Sequence, residues 1–255
     1  MQTTPANSSL AATPWTGTGK GVRVAVIDSG INPQHSHVRH VAGGTHISLR
    51  DDGTLNFDDD WRDLMGHGTA IAGVLRAKAP DCELYSVRVF EKSLQTHAEI
   101  VAAAIRWAAD HHMQVANCSL GTGNIEHRDL LQEACDYATA KDVLLVASSD
   151  AGVRDFFPAG LRGVVAVTGD EACGWDHYYH DEPGGLFRAH PHPRPLPRLP
   201  QKFNLQGHSF AGAHIAAWIA RIREQCPTAG LSEVIEALAA NAVALDLESQ
   251  TENKN

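Results

Sequence analysis

The sequence predicts an α/β protein of three layers, a mostly parallel sheet with helices on both faces. Three observations lead there. Short, β-branched apolar runs recur along the chain, and stretches of helical period alternate with them. At 255 residues and 43% hydrophobic content, the chain can bury one sizeable core. The runs are apolar at consecutive positions, as expected of parallel strands covered on both sides.

Taken in order, residues 1–20 are rich in Thr, Ser, Ala, Pro and Gly and are expected to lie loosely on the surface. A strand at 22–27 opens the domain, which is expected to occupy 21–245. A helix at 67–77, a strand at 84–90 and a helix at 98–111 follow, the last with Ile100, Ala104, Trp107 and Ala108 on one face. Next come a strand at 115–120, a helix at 129–141 built on Leu130, Leu131, Ala134, Cys135 and Ala138, and strands at 143–147 and 164–168. Helices at 209–223 (Ile215, Trp218, Ile219, Ile222) and 231–242 (Val234, Ile235, Leu238) close the domain. Between 174 and 201 no period is convincing. Pro191, Pro193, Pro195, Pro197 and Pro200 interleave there with His190, His192, Arg194 and Arg198, so the segment is expected as an extended, polyproline-like loop insertion with solvated histidines. Residues 246–255 are polar and expected to fray.

Composition narrows the function. The net charge, 21 − 30 = −9, disfavours nucleic acid and anionic membrane surfaces as partners. No apolar stretch is long enough to span a bilayer, and the first fifteen residues lack the basic and apolar regions of a secretory signal. Cys82, Cys118, Cys135, Cys173 and Cys226 are scattered without paired metal spacing and are expected as buried, reduced thiols. A cytoplasmic protein without metal or cofactor is the resulting expectation. The sequence does not specify an oligomeric state.

Three short motifs carry the chemistry: Val24-Ala25-Val26-Ile27-Asp28-Ser29-Gly30, Gly66-His67-Gly68-Thr69 and Gly207-His208-Ser209-Phe210-Ala211. Singly, each has an ordinary explanation: a turn-forming aspartate, a helix-terminal histidine and an N-cap serine. Together, in the order Asp, His, Ser and in small-residue surroundings, they resemble the subtilases, serine peptidases of the subtilisin type. The resemblance implies a subtilisin-like fold and an endopeptidase. In it Ser209 attacks a peptide carbonyl, His67 takes its proton and Asp28 orients the imidazole. Ser209 at a helix start would also aim its own N–H at the oxyanion. Ser119-Leu120-Gly121 resembles the segment that pairs with extended substrate on the acyl side, and Ala147-Ser148-Ser149 the strand facing it. The implied partner is a peptide or protein, and the expected role is limited cleavage of a precursor or protein partner.

The chain also departs from the family pattern. Asp150 stands where the family usually carries the Asn of the oxyanion hole. An ionised carboxylate has no donor, so reduced or acid-shifted activity is expected, unless Asp150 is a surface aspartate and the donor comes from elsewhere. His208 replaces the usual Thr before the serine, and Ala213 the usual Pro after it. The stretch between His67 and Leu84 lacks the loop that builds the tight calcium site of secreted members, so no calcium is expected there. The strand pair usual before the nucleophile is not recognisable, and no room is left for a pro-domain before Asp28. Phe156-Phe157-Pro158 lies where the family sets the floor of the pocket for the residue before the cut. A filling Phe156 would select small residues, whereas Asp155 would select Lys or Arg. Two other functions use the same residues: a peptide transferase or macrocyclase, in which an amine replaces water, and a weakly active peptide-binding protein.

Overall fold

The computed structural model describes residues 15–150, 155–181 and 185–243. In chain order the elements are β1 (Arg23–Asp28), β2 (Gly43–Leu49), β3 (Leu55–Asp58), α1 (His67–Lys78), β4 (Glu83–Arg88), α2 (Ala98–Asp110), β5 (Val115–Cys118) and α3 (Arg128–Ala140). Then follow β6 (Leu144–Ser148), β7 (Val164–Gly169), β8 (Tyr178–Asp181), β9 (Leu186–Ala189), α4 (His208–Gln225) and α5 (Leu231–Ala240). The strands form one sheet in the order β3-β2-β4-β1-β5-β6-β7-β9-β8. Neighbours from β2 through β9 run parallel, and β3 and β8 lie antiparallel at the two edges.

The expected three layers are present. Along β1, Val24 and Val26 face the cluster formed with α1, α4 and α5, including Ile71, Leu75, Phe210, Ile215 and Leu238. Ala25 and Ile27 face the other side, where α2 and α3 contribute Ile105, Ala108, Leu131 and Ala138. Both faces of β1 are therefore dry, which is why its sequence is apolar without alternation. The five expected helices all form, each within a few residues of its expected ends. The third expected strand stops at Cys118, not at residue 120, so that Ser119 to Gly121 leave the sheet.

Other parts of the sequence reading are corrected. Residues 15–20 are tied down, not loose. Trp15 is buried, the Glu224 carboxylate accepts from the Thr18 and Gly19 amides at 2.5 and 2.7 Å, and Arg221 donates to the Gly17 carbonyl. Residues 1–14 and 246–255 lie outside the described residues. The 174–201 segment is not loop throughout, since it contains β8 and β9 and thus a strand pair before the nucleophile. Phe187 and Tyr178 point into the core while Arg188 turns outward to Asp170 and Asp181. Such alternation over four-residue strands is easily hidden among prolines and histidines. Nor are the histidines of this segment merely solvated. His190 Nδ1 donates to the Cys173 carbonyl at 2.8 Å, its ring packs on Trp175, and His192 Nε2 lies 2.9 Å from Glu171. These contacts pin the proline-rich run, 191–200, against the body of the protein.

Candidate active site

Asp28 is the last residue of β1, at the carboxyl edge of the sheet with β4 and β5 on either side. Functional groups of open α/β sheets gather at that edge. Its carboxylate is fully buried and accepts from the Ser29 amide at 2.6 Å. His67 is the first residue of α1 and places Nδ1 at 2.8 and 2.9 Å from the two Asp28 oxygens. This closeness requires a glycine beside the histidine. A Cβ on Gly68 would lie 2.2 Å from the Gly30 carbonyl oxygen and 3.1 Å from Asp28 Oδ1. The Gly68 amide instead donates to Ser29 Oγ at 2.9 Å.

The sequence reading did not single out Asp63, which organises the same turn. Its carboxylate accepts from Ser29 Oγ and from the amides of Met65, Gly66 and Thr69 at 2.8 to 3.0 Å, and from Thr69 Oγ1 at 2.5 Å. It satisfies donors at the start of α1 that have no partner inside the helix. The only sequence signal was an acid four residues before a histidine at a helix start. Burial by itself lowers the pKa of His67. The Asp28 charge and hydrogen bond, with a smaller contribution from the Asp63 charge, outweigh it and raise the pKa above the ordinary histidine value.

Ser209 lies in the first turn of α4, and its hydroxyl donates to the Ser119 carbonyl at 3.3 Å. The next residue, Phe210, packs its ring 5.3 Å from that of His67, which brings the heads of α1 and α4 together. His67, Ser209, Ser119, Leu120 and Gly121 line one cleft of about 540 Å³, continued outward by Phe90, Leu94 and His97. Ala147, Ser148 and Ser149 are buried in and just after β6 and do not line it. The 155–157 segment packs beside Gly121 and Thr122 of this lining. Thr122 and Phe157 exchange backbone hydrogen bonds, both 2.8 Å, and the Phe156 ring lies flush on Gly121, where a Cβ would meet it at 2.2 Å. Asp155 is exposed.

Two departures noted in the sequence meet here. The Gly169 amide donates to His208 Nδ1 at 3.0 Å, and Thr168 Oγ1 lies 2.9 Å from the same nitrogen. A backbone N–H can only donate, so the ring proton resides on Nε2. That nitrogen faces Asp150 Oδ1 at 3.5 Å, with the Asp150 side chain 70% exposed.

Between α1 and β4 only residues 79–82 intervene, too few to wrap a cation that takes six to eight oxygens. Among the described residues no group of three or more His, Cys, Asp or Glu side chains could hold a metal ion, and no helix is long and apolar enough to cross a membrane. All five cysteines are free.

A mostly parallel sheet of this order, covered by helices on both faces and with an Asp–His pair at its carboxyl edge, defines a three-layer α/β protein. Comparison narrows the class: residues 19–167 match the model of the subtilase family, Peptidase S8. The chain belongs to that family. It is similar to the minor extracellular protease Epr of Bacillus subtilis (strain 168), 32% identical over 163 residues, 59% of this chain and 24% of the relative. It is also similar to alkaline elastase YaB of Bacillus sp. (strain YaB), 30% identical over 224 residues, 83% of this chain and 56% of the relative. The chain thus spans a quarter to about half the length of these relatives. In structure it is similar to a protease from Pseudoalteromonas arctica PAMC 21717, with a TM-score of 0.73 at 22% identity, covering 93% of this chain and 87% of the other. That likeness supports the subtilisin-like fold.

Proposed function

We propose that the chain is a serine endopeptidase that cuts through an acyl-enzyme on Ser209. The observation that carries this reading is the fully buried Asp28 carboxylate, 2.8 Å from the Nδ1 of His67, which itself lines one cleft with Ser209. Ser209 Oγ attacks the carbonyl carbon as its proton passes to His67 Nε2. The C–N bond then breaks as His67 returns that proton to the leaving amine. Water, deprotonated by the same imidazole, hydrolyses the ester and restores Ser209. Asp28 holds Nδ1–H toward itself and stabilises the imidazolium formed midway. Such a cleft suits limited cleavage of a peptide precursor or protein partner, and five free thiols suit a reducing, cytoplasmic setting.

The oxyanion is received by the Ser209 N–H at the positive end of α4 and by a second donor on the Asp150 side. Asp150 occupies the oxyanion-hole position but offers no proton when ionised. His208 Nε2–H, held in its tautomer from below and one residue from the nucleophile, supplies that donor. On the acyl side the substrate runs extended along Ser119-Leu120-Gly121, with Ala147-Ser148-Ser149 as the buried backing of the opposite wall. Phe156 fills the pocket for the residue before the cut and restricts it to Gly, Ala or Ser. Phe156→Gly is expected to raise kcat/KM for Leu or Phe at that position at least about tenfold relative to Ala. A peptide-library cleavage profile checks this, and a wild-type profile dominated by Lys or Arg would assign the pocket to Asp155 instead.

A serine-directed fluorophosphonate is expected to label the protein, with the adduct mapped to Ser209 by peptide mass. Product masses should show the added water of hydrolysis. Absence of label from pH 5 to 9 would make the chain a peptide-binding protein, and products lacking water a transferase.

A further inference from the structure

A second depression lies on the other side of the histidine turn. It has a volume of about 390 Å³, and Gly66, the residue before His67, belongs to its lining while His67 and Ser209 belong to the first cleft. The two depressions therefore share the 66–67 peptide as a divide. One wall of the second is the proline-rich run held in place by His190 and His192. From it Leu196, Leu199, Phe203 and Leu205 line the groove, and the last three are among the most exposed large apolar residues described, Phe203 at 67%. Single exposed apolar residues are ordinary, but several on one concave wall are not.

The polar end of the groove has a definite sign. Arg194, His35 and His37 line it, and no carboxylate among the described residues lies within ion-pair distance of Arg194, Arg198 or Lys202. The Arg194 guanidinium makes one long hydrogen bond, Nη1 to the His37 carbonyl at 3.5 Å. Asp63, the acid in the lining, has its oxygens committed to the histidine turn. In the sequence no acidic residue occurs between Glu182 and Glu224, although the chain as a whole carries −9. Burial, and then the Arg194 and His35 charges, lower the pKa of His37, so the fixed positive charge is that of Arg194.

We propose that this groove binds the leaving-group side of the polypeptide substrate, taking an apolar side chain against Leu199, Phe203 and Leu205 and a following Asp or Glu side chain at Arg194. The inference rests on the peptidase reading. A polypeptide threaded through the active site extends to both sides of the cut bond. The acyl side is assigned to the cleft along Ser119-Leu120-Gly121, and the groove begins at Gly66, the residue before the histidine that lines that cleft. An apolar wall ending in an unpaired guanidinium complements an apolar residue followed by a carboxylate. The groove would thus set which bond of a folded or precursor protein is cut, while the filled pocket under Phe156 demands only a small residue at the bond itself.

The test uses internally quenched, C-terminally amidated peptides with a common acyl side and leaving sides of Leu-Glu, Leu-Lys or Gly-Gly, beside a p-nitroanilide with no leaving peptide. Leu-Glu is expected to exceed Leu-Lys by about tenfold in kcat/KM, the weight of one ion-pair preference. Arg194→Glu is expected to invert that order, and Phe203→Ser to reduce Leu-Glu toward Gly-Gly. Hydrolysis of the p-nitroanilide should be unchanged in both variants. Cleavage of all peptides with equal efficiency, or a Leu-Glu preference surviving in Arg194→Glu, would overturn the groove assignment. A preference that appears only with a free C-terminal carboxylate would also overturn it in favour of terminus recognition. Failure to cut even the p-nitroanilide, with no fluorophosphonate label, would instead overturn the peptidase reading.

Discussion

Asp28→Asn is expected to lower kcat/KM by about 10⁴ and to move its acid limb. In the native protein, the Asp28 carboxylate is fully buried and holds both oxygens within 2.9 Å of His67 Nδ1. An amide of the same shape keeps the packing but can present N–H to Nδ1. That favours the tautomer with its proton on Nε2, which cannot accept from Ser209. The pH profile is an independent readout. Catalysis needs His67 unprotonated, so activity rises with pH through its pKa. Because Asp28 and Asp63 raise that pKa, the half-maximal point should lie above about 6.5, the ordinary histidine value. In Asp28→Asn the burial that lowers the pKa remains while the main charge that raises it is gone, so the limb should fall. Residual activity should be measured after active-site titration with the fluorophosphonate. A variant within tenfold of wild type, or with an unmoved limb, would remove Asp28 from the mechanism. The same linkage touches stability. The His67–Asp28 contribution is fully present below the unfolded pKa and is lost as pH rises through the higher folded value.

His208→Ala is expected to lower kcat by 10² to 10³, with KM changed little, the signature of a donor used only in the transition state. His208→Gln, which keeps an N–H on a similar reach, should recover part of the loss. This separates donation from mere support of Gly169 and Thr168. At Asp150 the expectation is opposite in sign. Asp150→Asn replaces an acceptor beside the developing oxyanion with a donor and should be faster than wild type at neutral pH. If it is no faster while His208→Ala is fully active, Asp150 is a surface aspartate and the donor lies elsewhere.

The central strands and the motifs that carry Asp28, His67 and Ser209 were legible in the sequence because both are local. Strand β1 is apolar on both faces, and the helix faces at 98–111 and 129–141 show their period without help from neighbours. Asp28, His67 and Ser209 each sit where one of these elements begins or ends. Strands β2, β3, β8 and β9 were not legible. Most are short, and the burial of β2 and β3 alternates poorly. Their pairing depends on partners distant in the chain. The relation between Asp150 and His208 was invisible for another reason. Each was noticed as a departure, but that one faces the other follows from the packing of β6, β7 and α4. Asp63 escaped notice because its role is to satisfy backbone amides, which leave no mark on residue spacing. The groove beside Gly66 is formed by segments more than a hundred residues apart.

Helix α4 carries Ser209 at one end and at the other grips residues 17–19 through Glu224 and Arg221. Its eighteen residues extend about 27 Å, so the two ends lie far apart, yet both are held by side-chain contacts to other segments. Loosening the far end releases the strap that leads into β1, and with β1 goes Asp28. Ser209 and Asp28 are thereby tied to one another through α4, residues 17–19 and the centre of the sheet. A peptidase always has its own unfolded copies within reach as food. On the peptidase reading, this tie is expected to leave few partly open forms for one copy to cut in another.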